Sequence, residues 1–132
     1  MEPSVRNRTL GILALVGTTL TFAADTPSSY AAARVIWERT KGDAKYQSYA
    51  DEFTQFNNHF HLDEKDGCYA LSQEPVNLML VITHPAKSEY AVIERVLSDV
   101  DNAKTQCFKK SYGNIKTKVP PFVPFVLQMQ MG

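Results

Sequence analysis

The sequence predicts an α+β fold, a small antiparallel sheet packed against N-terminal helices and held by one disulfide. Three observations carry that prediction. Tyr46, Tyr49, Phe53, Phe56 and Phe60 recur at spacings of three and four, the period of a helix face. Apolar residues alternate with period two over 76–83 and again over 125–131, the period of a strand. The helical pattern fills the first half of the chain and the strand pattern the second, so the two kinds of element segregate.

The chain opens with a three-part leader. Residues 1–9 carry Arg6 and Arg8 against one acid, Glu2, residues 10–22 carry no charge, and the small pair Ala23-Ala24 follows. Basic, apolar and small in that order is the layout of a secretory signal peptide. The apolar run of 13 residues is shorter than the ~20 that cross a bilayer as a helix. Cleavage after Ala23 is expected, with Thr21 at the third position before the cut; the alternative cut after Ala24 would place bulky Phe22 there. The remaining residues, 24–132, form one exported domain, periplasmic or secreted, with no membrane span left. The formal charge of the whole chain is zero, and loss of Arg6, Arg8 and Glu2 leaves it near −1. No basic excess points to nucleic acid.

Each later element has its own signal. Pro27, Ser28 and Ser29 precede a helix over 30–40, and Lys41-Gly42-Asp43 breaks it. The aromatic stripe lies on a second helix over 44–60; it serves either as a face packed on the sheet or as a partner-docking face. The polar stretch 62–67, ending in Gly67, reads as a connector to Cys68. Val76, Leu78, Leu80 and Ile82 share one face of the first strand, while Asn77, Met79, Val81 and Thr83 form a half-polar face that admits partial cover. A turn over 84–88 leads to a second strand over 89–97, making an antiparallel hairpin. Ser98, Asp99 and Asp101 offer caps for a helix over 102–112, and Gly113 stands where a helix end takes a left-handed residue. Three prolines between 119 and 124 exclude helix and central strand before the last strand, 125–131.

The two cysteines, Cys68 and Cys107, lie after the leader. A reactive thiol or a metal thiolate pair are the alternatives to a disulfide, but an even count in an oxidising compartment favours the bridge. Closing a loop of about 40 residues contributes roughly 4 kcal/mol in the chain-entropy model, less any strain.

From Cys68 onward the pieces PVNLMLVI, AVIERVLSD, NAKTQCFKKSYG and VPPFVPF with its closing strand occur in an order that resembles the TonB C-terminal domain, especially small two-cysteine relatives in exported proteobacterial proteins. The resemblance covers about half the chain and leaves 30–61 unexplained. It implies a protein-binding habit in which a sheet edge accepts an added strand, here at Phe125, Val126, Leu127, Gln128 and Met129. Energy transducers of that family look like a membrane anchor and a long Pro-rich spacer ahead of the domain. The short leader and missing spacer set this chain apart from them.

Catalytic chemistry finds no support in the motifs. There is no GxSxG elbow and no Gly-rich phosphate loop, and a bridged cysteine is no nucleophile. The expectation is a non-enzymatic protein without a cofactor, acting on an envelope protein through a sheet edge or the aromatic face. The alternative is a periplasmic metal binder using His59, His61 and Asp63, residue types that ligate zinc when three or four converge.

Overall fold

The computed structural model describes residues 26–132, with the side chains of 57–66 excepted. The leader and its cut after Ala23 lie outside the described residues. The elements are helices and one four-stranded antiparallel sheet, an α+β arrangement.

Helix α1 spans Tyr30–Thr40, and Ser29 caps it by accepting the Ala32 N–H at 3.1 Å. Asp43 begins α2, Ala44–Cys68, by accepting the Lys45 N–H at 2.7 Å. Residues 62–67 are not the expected connector. The helix continues through them to Cys68 and tightens into a 3₁₀ turn at Tyr69–Leu71. A single glycine costs a helix only about 1 kcal/mol relative to alanine, too little to end one that already runs for about six turns. The stop comes at Ser72, whose backbone is extended (φ −163°, ψ 147°).

Strand β1, Val76–Thr83, sits inside the sheet between β2, Ala91–Ser98, and β4, Phe125–Met131. A two-residue strand β3, Lys116–Thr117, pairs with the outer side of β2, so the order is β3-β2-β1-β4. Leu80 of β1 faces Val96 on one side and Leu127 on the other. The β1–β2 register shifts between Val81 and Ile82, which leaves Glu94 as a bulge. β2 begins later than expected because the Ser88 hydroxyl holds both the N–H and the C=O of Tyr90 in a local turn.

Helix α3 spans Ala103–Tyr112. Its cap is Asn102, reciprocally bonded with Thr105, and not Ser98, Asp99 or Asp101. Asp99 instead accepts the backbone and side-chain N–H groups of Asn77, joining the open end of the β1–β2 hairpin. Gly113 is not the left-handed residue either. Its φ is −60°, and the left-handed position falls to Asn114 (φ 65°). Glycine suits 113 for another reason: a Cβ there would meet the Lys109 carbonyl at 2.9 Å.

The sheet carries helices on both faces. Leu78, Leu80, Ile82, Ile93 and Phe125 pack with Tyr46 and Tyr49 of α2 and Phe108 and Tyr112 of α3. The half-polar face of β1 is covered as well: Met79, Val81 and Val126 are buried under Ala33 of α1. Trp37 touches both clusters, so the corner between α1 and α2 wraps the β4 edge of the sheet.

Two clasps hold α3. The Cys68–Cys107 disulfide joins it to the end of α2, with sulfurs 2.11 Å apart. Lys104, 1% exposed, donates from Nζ to the Ser72 and Glu74 carbonyls at 3.0 and 2.8 Å.

Candidate binding surfaces

The aromatic stripe divides along its length. Tyr46 and Tyr49 meet the Phe125 ring at 4.9 and 4.6 Å, and Phe53 is buried beside them. Phe56, one turn on, is 44% exposed and 5.9 Å from Phe53. The side chain of Phe60 lies outside the described residues. The first three rings therefore bind helix to sheet, and the exposed part of the stripe begins at Phe56.

Strand β4 holds Phe125, Val126, Leu127, Gln128 and Met129 at the edge of the sheet, paired among the described residues with β1 alone. The first three side chains are buried, divided between the two faces, and Gln128 and Met129 are half-buried. What this edge offers is backbone, and part of that is taken. The Tyr46 hydroxyl accepts hydrogen bonds from the Gln128 backbone and the Trp37 side chain. Burial pushes the Tyr46 hydroxyl up from its ordinary value, and those two bonds pull it partly back. Trp37, Tyr46, Gln47 and Ala50 wall a cleft of about 510 Å³ against Leu127, Gln128 and Met129. The α1–α2 corner thus guards the centre of the β4 edge.

A larger groove, about 930 Å³, opens at the opposite edge. Tyr49, Phe53 and Phe56 of α2 line one side, Lys116, Thr117, Lys118 and Val119 the other, and Glu89 and Tyr90 line it as well. Its size falls in the range of small-ligand clefts. Tyr90 and Val119 are 52% and 38% exposed, so with Phe56 three large apolar side chains open onto one groove. The Tyr49 hydroxyl donates to the Lys118 carbonyl at 2.7 Å and lies 3.1 Å from Thr117 Oγ1, fixing the two walls together. Burial raises the Tyr49 hydroxyl above its ordinary value; the Thr117 bond opposes the rise and the nearby Glu52 charge adds to it. Lys118 bridges to Glu52 at 2.9 Å across the rim, an exposed pair.

Both cysteines are consumed by the disulfide. Among the described residues no three His, Cys, Asp or Glu side chains gather as a metal site. The side chains of His59, His61 and Asp63 lie outside the described residues. His84 sits in the hairpin turn, with Nε2 2.6 Å from the Ser88 carbonyl. Among the described residues no helix is long and apolar enough to cross a membrane.

Trp37, Tyr90, Lys116 and Val119 are site residues that sequence reasoning missed. Trp37 had a signal, since Tyr30, Ala33 and Trp37 share a helix face. The other three come together only through the hairpin and β3. Comparison with protein-family models, curated proteins and solved structures finds no match.

Proposed function

We propose that this chain is an exported, non-enzymatic protein-binding module that works in the periplasm or outside the cell. It takes an envelope protein partner in the groove between α2 and β3. The observation that carries this reading is the gathering of Phe56, Tyr90 and Val119 around one groove. Exposed apolar side chains are ordinary when scattered, and a cluster rimmed by charge marks an interaction surface. The leader's basic–apolar–small order and the bonded cysteine pair support export. The resemblance of the second half to the TonB C-terminal domain supports a protein-binding habit. The groove is favoured over the β4 edge because the Tyr46 hydroxyl already meets the Gln128 backbone at the centre of that edge and Trp37 walls the cleft beside it.

The test is site-specific photo-crosslinking in envelope extract, with the crosslinker at Tyr90 and, as control, at Gln130 on β4. A discrete adduct from position 90, lost when Phe56→Glu is added, is the expected result. Adducts from position 130 alone would move the partner to the β4 edge. N-terminal sequencing of the mature protein should begin at Ala24; an intact Met1 would restore a membrane-anchored reading.

A further inference from the structure

Resting on that reading, we infer that the groove takes an extended peptide along the outer edge of β3, with one bulky apolar side chain between Phe56 and Tyr90 and an acidic side chain against Lys116. Among the described residues β3 pairs with β2 alone. On its inner side the Ile93 N–H donates to the Ile115 carbonyl and the Asn114 N–H to the Ile93 carbonyl, each at 2.9 Å, and Thr117 stands opposite Ala91. Peptide groups along a strand turn to alternate sides. The Lys118 carbonyl is turned outward, where it accepts the Tyr49 hydroxyl. Lys116, two residues earlier, therefore turns its N–H and C=O to that same outer side. A strand laid there finds backbone partners beside the apolar groove.

The edge is short. Pro120 and Pro121 follow Val119, and neither has an N–H to offer. Few backbone bonds are available, so selectivity falls to the side chains. Phe53, Phe56, Tyr90 and Val119 select a large apolar group. The charges select its neighbour. Lys118 is neutralised by Glu52, whereas the Lys116 ammonium lies 5.8 Å from the Tyr90 ring centre with no acidic partner among the described residues. Glu89, which also lines the groove, repels an acid placed beside it and leaves Lys116 as its seat. Unpaired backbone on the wall favours a peptide over a purely apolar molecule, which would leave those groups dry and unbonded.

The test is an amide chemical-shift titration of the disulfide-intact protein with two capped hexapeptides, Ser-Thr-Phe-Thr-Asp-Ser and the same peptide with Lys in place of Asp. Shifts should appear at Tyr90, Lys116, Thr117 and Lys118, with the acidic peptide binding about 2- to 5-fold more tightly, the scale of an exposed ion pair. Lys116→Glu should reverse that order, and Tyr90→Ala, at a half-exposed position that the fold does not need, should weaken both peptides about 10-fold or more. Unmoved core amides in each variant verify that it is folded. Equal affinity for the two peptides overturns the charge assignment. Shifts along Val126, Gln128 and Gln130 overturn the location. Absence of shifts with both peptides overturns the peptide as occupant, and the crosslink from position 90 then reports separately whether the groove still binds a protein.

Discussion

The Tyr46 ring stacks on Phe125 at 4.9 Å with the two planes 12° apart, and Tyr49 tilts onto the same ring from one turn further along α2. Phe122 approaches it at 5.3 Å from the proline-containing loop. Phe125 is thus where the long helix, the loop and the last strand meet, and it is fully buried. Phe125→Ala should cost about 3–5 kcal/mol, the range for deleting a buried ring. The shift of the urea midpoint at constant slope measures it. A loss under 1 kcal/mol would mean that α2 is anchored elsewhere.

Alkaline pH should loosen the same contact. Burial raises the Tyr46 and Tyr49 hydroxyls above the ordinary value of 10.0, so the fold favours their neutral forms. The stability tied to neutrality is fully present below that value. It is lost as pH rises above it, where the unfolded chain ionises first. Melting temperature should be level between pH 8 and 9 and fall above 10. The double variant Tyr46→Phe/Tyr49→Phe should show a shallower fall.

Removing the guard at the β4 edge should change association. Trp37→Ala takes away the side chain bonded to the Tyr46 hydroxyl, which itself meets the Gln128 backbone, and the contact that joins the α1–α2 corner to both apolar clusters. An edge strand with free backbone groups recruits another strand. Sedimentation velocity across a concentration series should show more self-association for the variant than for the parent. Identical profiles would show that Tyr46 guards the edge alone.

The two clasps on α3 should differ in size. Cys107→Ser opens a loop with a sequence separation of 39 and should cost roughly 3–4 kcal/mol, less any strain relieved. Lys104→Met should cost about 1–3 kcal/mol, because the Ser72 and Glu74 carbonyls lose a buried donor. Chemical denaturation of both variants gives the order. Thiol titration of the native parent without reductant should find no free thiol.

The elements were legible where a period and a cap coincide. Val76–Thr83, Phe125–Met131 and the aromatic helix announce themselves by spacing, and Ser29 and Asp43 by their side chains. Boundaries were lost where several residues of one kind compete. Ser98, Asp99, Asp101 and Asn102 all suit a helix start, and the choice of Asn102 rests on its reciprocal bond with Thr105 and on Asn77 drawing Asp99 away. Gly113 and Asn114 both suit a left-handed position, and the close approach of the Lys109 carbonyl assigns the glycine to the other task. The groove was not legible, because Phe56, Tyr90 and Val119 are far apart in the chain and no local pattern links them. β3 is too short to carry a period at all.

The strand order has a consequence for how the molecule is made. β1 needs β4 on one side, and the register runs from Val76 opposite Met131 to Ile82 opposite Phe125. A chain emerging from the ribosome or a translocation channel as far as Tyr112 holds the hairpin and three helices. Its strongest apolar strand still has one bare rim and no Phe125 for α2 to sit on. Closure of such a long-range ladder is slow, and the waiting strand is prone to aggregate. Completion is therefore deferred to the arrival of residues 125–131. A nascent chain stalled before them should bind a holdase and stay open to protease, while one extended past Met131 should become resistant in a single step.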